Sequence, residues 1–419
     1  MNEQIKKRIE QIRRGEVPEG YHKTKSGILP KGWLAGTIDD CLTRVERPVE
    51  VDPKELYTQI GIRSHGKGLF YKEPVTGESL GNKSVFWIEP DCFILNIVFA
   101  WEQAVGKTTK KEIGMIGSHR FPMYRPIANK IDIDYLIMYL LTKRGTDILE
   151  AASPGGAGRN RTLGQDRFMK SKLILPVLQE QQKIAAILTT QDKVIELKEK
   201  LLAEKKQQKK HLCQQLLTGK KRLPGFSGEW KKVKLKKLLK ERKKYAQKGA
   251  EFPHVTLSTT GIYSKSERYD RDHLVKSEDK EYKITHFGDI CYNPANLKFG
   301  VICVNTYGDA IFSPIYVTFE ATATVNIDFL SNYLMRWDFI NAVRKYEEGT
   351  VYERMAVKPE DFLKYEVLLP ALNEQTAIAE ILSTADQEIS LLQKSIDTEK
   401  QKKKALMQLL LTGIVRVNT

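Results

Sequence analysis

The chain repeats itself, and that repeat constrains its fold more than any other feature. Residues 173–223 read LILPVLQEQQKIAAILTTQDKVIELKEKLLAEKKQQKKHLCQQLLTGKKRL, and residues 367–417 read VLLPALNEQTAIAEILSTADQEISLLQKSIDTEKQKKKALMQLLLTGIVRV. The two align without a gap, with about half of the positions identical. Pro176 matches Pro370, Glu180-Gln181 matches Glu374-Gln375, and Leu216-Leu217-Thr218-Gly219 matches Leu410-Leu411-Thr412-Gly413. Each copy has the marks of one long helix. A proline stands just ahead of it, where its missing N–H costs nothing, and a glycine ends it. Between them apolar residues recur at three- and four-residue steps. In the first copy these are Ile184, Ile187, Leu188, Val194, Ile195, Leu201, Leu202, Leu212 and Leu216. In the second they are Ile378, Ile381, Leu382, Ile389, Leu392, Ile396, Leu406 and Leu410. About 40 residues at a 1.5 Å rise make a rod of roughly 60 Å. A helix with one apolar stripe needs a partner, and the other copy is the natural one. Polar runs at Lys205–Lys210 and Lys400–Lys404 interrupt both stripes, which argues against a strict coiled coil throughout.

Each rod follows a block of roughly 140 residues with short apolar runs, Gly and Pro. The blocks open on Leu29-Pro30-Lys31-Gly32-Trp33 and on Leu223-Pro224-Gly225-Phe226-Ser227-Gly228-Glu229-Trp230, but otherwise differ in sequence. The expected organisation is α+β, a pseudo-twofold tandem of two globular domains alternating with two long helices. Its boundaries are a helical N-terminal extension over 1–30, a first domain over 31–175, a central helix over 176–222, a second domain over 223–369 and a distal helix over 370–419. Similar scaffolds carrying dissimilar heads suggest two readings of one kind of ligand.

Charge indicates which kind. The 419 residues hold 68 Lys+Arg against 52 Asp+Glu, a net charge of +16, which favours a polyanionic partner and nucleic acid before membrane. No apolar run reaches the ~18 residues of a spanning helix, and the N-terminal MNEQIKKRIEQIRRGE has no apolar region like that of a secretory signal. Cys41, Cys92, Cys213, Cys291 and Cys303 form no Cys-x-x-Cys and no zinc spacing, so they read as free thiols of a cytoplasmic protein.

The duplicated Leu-Pro-x-Leu-x-Glu-Gln-x-x-Ile-Ala-x-Ile-Leu stretches at 175–188 and 369–382, the two Leu-Leu-Thr-Gly ends and the two block-opening tryptophans resemble the specificity subunit of type I restriction–modification systems. The resemblance covers nearly the whole chain. It implies that each globular block is a target-recognition domain reading one half of a split, asymmetric site in double-stranded DNA. It implies that the helices pack antiparallel, hold the domains apart and dock two adenine-N6 methyltransferase subunits, joined in the full enzyme by two motor–nuclease subunits. It also implies no catalytic centre and no cofactor in this chain. S-adenosylmethionine would belong to the methyltransferase, and ATP and Mg to the motor–nuclease. Residues 60–70, and Asp289-Ile290-Cys291-Tyr292-Asn293-Pro294 with Gly300, resemble loops of the family's recognition domains.

Residue chemistry nominates the DNA contacts. Lys and Arg hold phosphates, while Arg, Asn, Ser and His read base edges. Arg63, Ser64, His65 and Lys67 sit among Gly61, Gly66 and Gly68, which allow close backbone approach. Arg159 and Arg161 lie in a second basic, glycine-rich segment, and Arg354 in its counterpart in the second block. Tyr292, Asn296 and Lys298 complete the candidates. The run WKKVKLKKLLKERKKYAQK at 230–248 reads equally as a phosphate track or as a solvated face with Val233, Leu235, Leu238 and Leu239 in the core. Glu180, Gln181, Glu374 and Gln375, in the first helical turns, are expected to meet the methyltransferase, although such residues also simply suit a helix start.

Three enzyme-like motifs fail. Gly106-Lys107-Thr108 lacks the upstream glycine of a P-loop, since Trp101 stands there. Asn293-Pro294-Ala295-Asn296 lacks the second proline and the aromatic of an adenine-methyltransferase motif, and Glu281-Tyr282-Lys283 lies in a charge-rich run where such triplets arise by chance. A fused catalytic chain and a helical-repeat scaffold with incidental charge are the rival readings. Methyl-donor crosslinking would mark the first, and weak DNA affinity without sequence preference the second.

Overall fold

A computed structural model describes residues 3–24, 27–155, 161–247, 252–265, 281–346 and 356–417. The chain divides into two compact units, and the division falls inside the long helices. Unit 1 is Met1–Lys198 with Ser395–Thr419, and unit 2 is Glu199–Lys394. The central helix runs over Leu178–Leu216 and the distal helix over Leu372–Leu410, 39 residues each. Both start two residues after their proline. Both end at a glycine in the left-handed region, Gly219 at φ 70° and Gly413 at φ 73°, a conformation that glycine adopts without a Cβ penalty.

Within each unit the two helix segments run antiparallel. In unit 1, Ile184, Leu188, Ile195, Ile396 and Leu410 are buried. Lys198 Nζ donates to Glu399 at 2.8 Å, Lys403 pairs with Asp192 at 2.5 Å, and Gln191 donates to Glu399 at 2.8 Å. In unit 2, Lys205 pairs with Glu388 at 2.7 Å and Lys209 with Asp386 at 2.6 Å. The lysines that break the apolar stripe thus find acids on the facing helix. The stripe is also narrower than the sequence predicts. Ile187 and Leu201 are 40% and 43% exposed, because the facing helix covers one edge of the apolar arc and leaves the other outside.

The heads differ in sequence but share a framework. Unit 1 has an antiparallel sheet in the order Val105–Lys107, Phe93–Leu95, Met123–Pro126, Leu42–Val45. Unit 2 has Ile302–Val304, Ile290–Tyr292, Val317–Ala321, Leu239–Glu241 in the same order. In each, a strand near the start of the block pairs with the strand that leads into the long helix: Leu34–Thr37 with Lys172–Leu175, and Lys231–Lys234 with Glu366–Leu369. Helices Ile133–Leu140 and Lys143–Ala152 correspond to Ile327–Leu334 and Trp337–Val343. Each head's core continues onto the rods, through Ile184, Leu188, Leu410 and Leu411 in unit 1 and through Leu216, Leu217, Ile378 and Leu382 in unit 2.

The N-terminal extension is a helix, Glu3–Arg13, followed by a hairpin of Tyr21–Thr24 with Gly27–Pro30. Arg8 donates to the Ile414 carbonyl and Tyr21 to the Gly413 carbonyl, which ties this segment to the end of the distal helix. The basic run at 230–248 divides by face. Leu235, Leu238 and Leu239 are buried, whereas Lys231, Lys232, Lys234, Lys236, Lys237 and Lys240 are exposed.

Candidate nucleic-acid interface

Four of the nominated residues, Arg63, Ser64, His65 and Lys67, occupy one built loop in unit 1. The hairpin of Ile60–Ile62 with Leu69–Tyr71 closes at the pair Ile62–Leu69 and leaves residues 63–68 beyond the ladder. The Arg63 amide donates to the Gly68 carbonyl, closing the loop. His65, Gly66 and Gly68 all have positive φ, 60°, 62° and 74°. The turn Ala100–Glu102 holds the loop from beneath: Ser64 Oγ donates to a Glu102 oxygen at 2.9 Å, and the His65 amide donates to the Glu102 carbonyl at 2.8 Å. A Cβ on Gly66 would lie 2.6 Å from Leu141, so the loop sits hard against the helical layer. Arg63 lies over the Phe70 ring at 5.1 Å and donates to the Leu69 carbonyl, and Phe70 in turn fills the space a side chain at Gly61 would take. Arg63, His65 and Lys67 remain exposed.

Arg161 joins the same place. Its guanidinium lies 5.4 Å above the ring of Trp101, in the turn that anchors the loop. Residues far apart in sequence therefore converge on one turn, and Trp101, which motif reading used only to reject a P-loop, is its platform. Arg159 and Arg354 lie outside the described residues.

In unit 2 the equivalent connection, between Ile290–Tyr292 and Ile302–Val304, is the 3-10 turn Pro294–Phe299. Asn96 and Asn293 take matching roles at the two starts. Each is buried, its amide donating to a carbonyl across the connection (Ala104 and Val301), and its side chain accepting from the amide two residues on. Asn296 and Lys298 lie on this turn, half-buried, with Lys298 over the exposed Phe299 ring at 5.2 Å. Tyr292 is corrected. It is fully buried, stacked on Phe362 and Phe319, and its hydroxyl donates to the Val357 carbonyl at 3.0 Å. Strand alternation points it into the core rather than toward a ligand.

The four residues at the rod starts are corrected as well. Glu180, Gln181, Glu374 and Gln375 are 0–2% exposed and engaged within the chain. Glu180 accepts from Arg416 Nε and Nη2 at 2.5 and 2.7 Å, and Glu374 from Arg222 Nε and Nη2, both at 2.7 Å. Each carboxylate raises its arginine's affinity for the proton. Gln181 accepts from the Asp132 amide and donates to the Lys130 and Pro176 carbonyls, while Gln375 does the same with the Asn326 amide and the Pro370 carbonyl. Asp132 and Asn326 cap the corresponding helices Ile133–Leu140 and Ile327–Leu334, so these glutamines lock head to rod. The sequence shows the matched Glu-Gln pairs. It does not show that Arg416 and Arg222, a turn beyond each Leu-Leu-Thr-Gly, are their partners.

The enzyme-like motifs have structural uses. Lys107 pairs with Asp134 at 2.7 Å, Thr108 is buried on the Glu89 carbonyl, Asn293 caps its turn, and the buried Lys283 pairs with Glu241. Among the described residues no group of three or more His, Cys, Asp or Glu is placed to hold a metal ion, and no helix is long and apolar enough to cross a membrane. Burial pushes the Cys92 and Cys303 thiols up to about 11 and about 12, away from reactivity.

Comparison with known proteins agrees with this architecture. The family model described as type I restriction modification DNA specificity domain matches residues 88–207. The putative type I restriction enzyme MjaX specificity subunit of Methanocaldococcus jannaschii is 23% identical, over 96% of this chain and 98% of its own length. In fold, the chain is similar to the HsdS subunit of Thermoanaerobacter tengcongensis, with TM-score 0.53, 18% identity and coverage of 92% and 98%. It is also similar to the type I restriction–modification S subunit of M. genitalium, with TM-score 0.54, 13% identity and coverage of 90% and 96%. Residues 88–207 are thus similar to a type I restriction modification DNA specificity domain, and the fold is that of the solved S subunits. The relatives to which it is similar over most of its length are specificity subunits of type I systems.

Proposed function

We propose that this chain reads a bipartite, asymmetric site in double-stranded DNA, one half with each unit. The observation that carries the reading is one framework built twice with different surfaces. The strand orders, capped helices and Glu–Arg and Gln locks repeat, while the loops beyond the ladders do not. A shared framework keeps two readers alike, and unlike loops give unlike half-sites. In unit 1 the reader is the 63–68 loop with Arg161 on Trp101. Its cations suit phosphates, and Ser64 and His65 suit base edges in the major groove.

The rods set the gap between the half-sites. A helix of 39 residues is about 58 Å long, comparable to roughly 17 base pairs of duplex. The rods also dock two methyltransferase subunits. With Glu180, Gln181, Glu374 and Gln375 internal, the docking surface is the outer apolar face: Ile187 and Leu197 in unit 1, and Leu201 and Leu391 in unit 2. The chemistry lies with the partners. The methyltransferase holds S-adenosylmethionine and takes the target adenine out of the duplex for N6 methylation. Two motor–nuclease subunits using ATP and Mg complete the restricting enzyme in the cytoplasm.

The test is a methylome. Co-expressed with its methyltransferase in a methylation-free host, the chain should direct adenine methylation to one split motif with a fixed gap. Exchange of residues 31–175 for those of a relative should change one half of that motif. A change in both halves would refute modular reading.

A further inference from the structure

The strand register extends the two-reader account to a segment with no assigned role. A parallel bridge joins Gln59 to Ile116 in unit 1 and His254 to Ile311 in unit 2, so the hairpins that follow occupy the same place in the two heads. Those hairpins are Ile60–Ile62 with Leu69–Tyr71, and Val255–Ser258 with Gly261–Ser264. Counting from the bridge, the pair Ile62–Leu69 corresponds to Leu257–Ile262. Beyond that pair unit 1 has six residues, Arg63-Ser64-His65-Gly66-Lys67-Gly68. Unit 2 has four, Ser258-Thr259-Thr260-Gly261. Likewise Phe70, which carries Arg63, corresponds to Tyr263.

From this correspondence we infer that Thr259 is a specificity-determining residue of unit 2, reading a base edge where unit 1 presents its basic loop. The turn is built for it. Ser258 is buried, accepts from the Thr260 amide at 3.2 Å and shares a 3.0 Å hydroxyl contact with Thr260. The Tyr263 hydroxyl donates to the Thr260 carbonyl at 3.2 Å and lies 3.1 Å from Thr260 Oγ1. Gly261 at φ 133° makes the sharp return that an L side chain resists. These bonds fix the backbone and leave Thr259 exposed at the tip.

Composition then separates the two readers. The turn itself has no cation, so it adds discrimination without adding phosphate contacts. It is also one ladder pair shorter, about 3 Å less reach than the loop of unit 1. A hydroxyl can donate to or accept from a base edge, and one such hydrogen bond is worth on the order of a five- to tenfold preference.

The inference rests on the DNA-reading function proposed above, and its test separates the two. The full chain is co-expressed with its methyltransferase partner, modified adenines are mapped, and the purified complex is titrated with duplexes altered one base pair at a time at several salt concentrations. Thr259→Val should relax one position of one half-site by about five- to tenfold, leaving the other half and the salt dependence as in wild type. Thr259→Lys should raise affinity for all duplexes and steepen the salt dependence by about one unit. An unchanged motif and unchanged titrations with both variants would overturn the inference while the DNA-reading function stood. So would a loss with Thr259→Val that was uniform across sequences. Absence of any motif from the wild-type complex would overturn the DNA-reading function, and this inference with it.

Discussion

Replacing Arg416 with alanine tests the lock between head and rod. Glu180 is fully buried and its two oxygens are held by Arg416 at 2.5 and 2.7 Å, while the arginine side chain keeps 35% exposure. Removing the guanidinium leaves a buried carboxylate without its counter-charge. Breaking such a pair costs about 3–5 kcal/mol when both members are buried, and partial exposure of Arg416 lowers this to about 2–4 kcal/mol. For a body of this size that is a drop in melting temperature of about 5–15 °C. Urea unfolding of wild type, Arg416→Ala and the double variant Glu180→Gln/Arg416→Met measures it. The double variant removes both charges and should recover to within about 1 kcal/mol of wild type, because the penalty comes from the orphaned charge rather than from the pair's net attraction. Arg222→Ala should likewise destabilise unit 2, where Glu374 is 2% exposed and held at 2.7 Å by two nitrogens. A loss below about 0.5 kcal/mol for Arg416→Ala, or a double variant as unstable as the single, would refute the reasoning.

Other changes discriminate between parts of the molecule. Glu399 is held by Lys198 and Gln191, which lower its carboxyl from 4.5 to about 2. A depressed carboxylate stabilises the fold fully above its unfolded value, so this contribution is complete above about pH 4.5 and fades toward pH 2. The stability difference between wild type and Glu399→Gln should therefore shrink from pH 7 to pH 3 in chemical denaturation, and a constant difference would contradict it. Tyr292→Phe should cost about 1 kcal/mol through the lost bond to the Val357 carbonyl and leave the methylated motif unchanged. An altered motif would return Tyr292 to the interface. Lys67→Ala should weaken DNA binding alike on every sequence and reduce the salt slope by about 0.9, read from affinities across a salt series. A sequence-dependent loss would make Lys67 a base reader.

The repeat, the two long helices and the basic character were legible in the sequence because each is local. Proline and glycine punctuation, the three-and-four spacing of Ile184, Leu188, Ile378 and Leu382, and the gapless alignment need no knowledge of what packs where. That locality made the two rods and the tandem order readable from residues alone. The tertiary structure decided what depends on neighbours distant in sequence. It put Tyr292 in the core, because its strand is central in a sheet whose inner face it occupies. It turned Glu180, Gln181, Glu374 and Gln375 from expected partner contacts into internal locks, because their counterparts lie 49 to 236 positions away. It also showed that two heads without visible sequence similarity are one topology, since a sheet fixes the hydrophobic alternation and the register of its strands but leaves the identity of most side chains free. Periodicity along a chain reports which face of an element is buried, and only the fold reports against what.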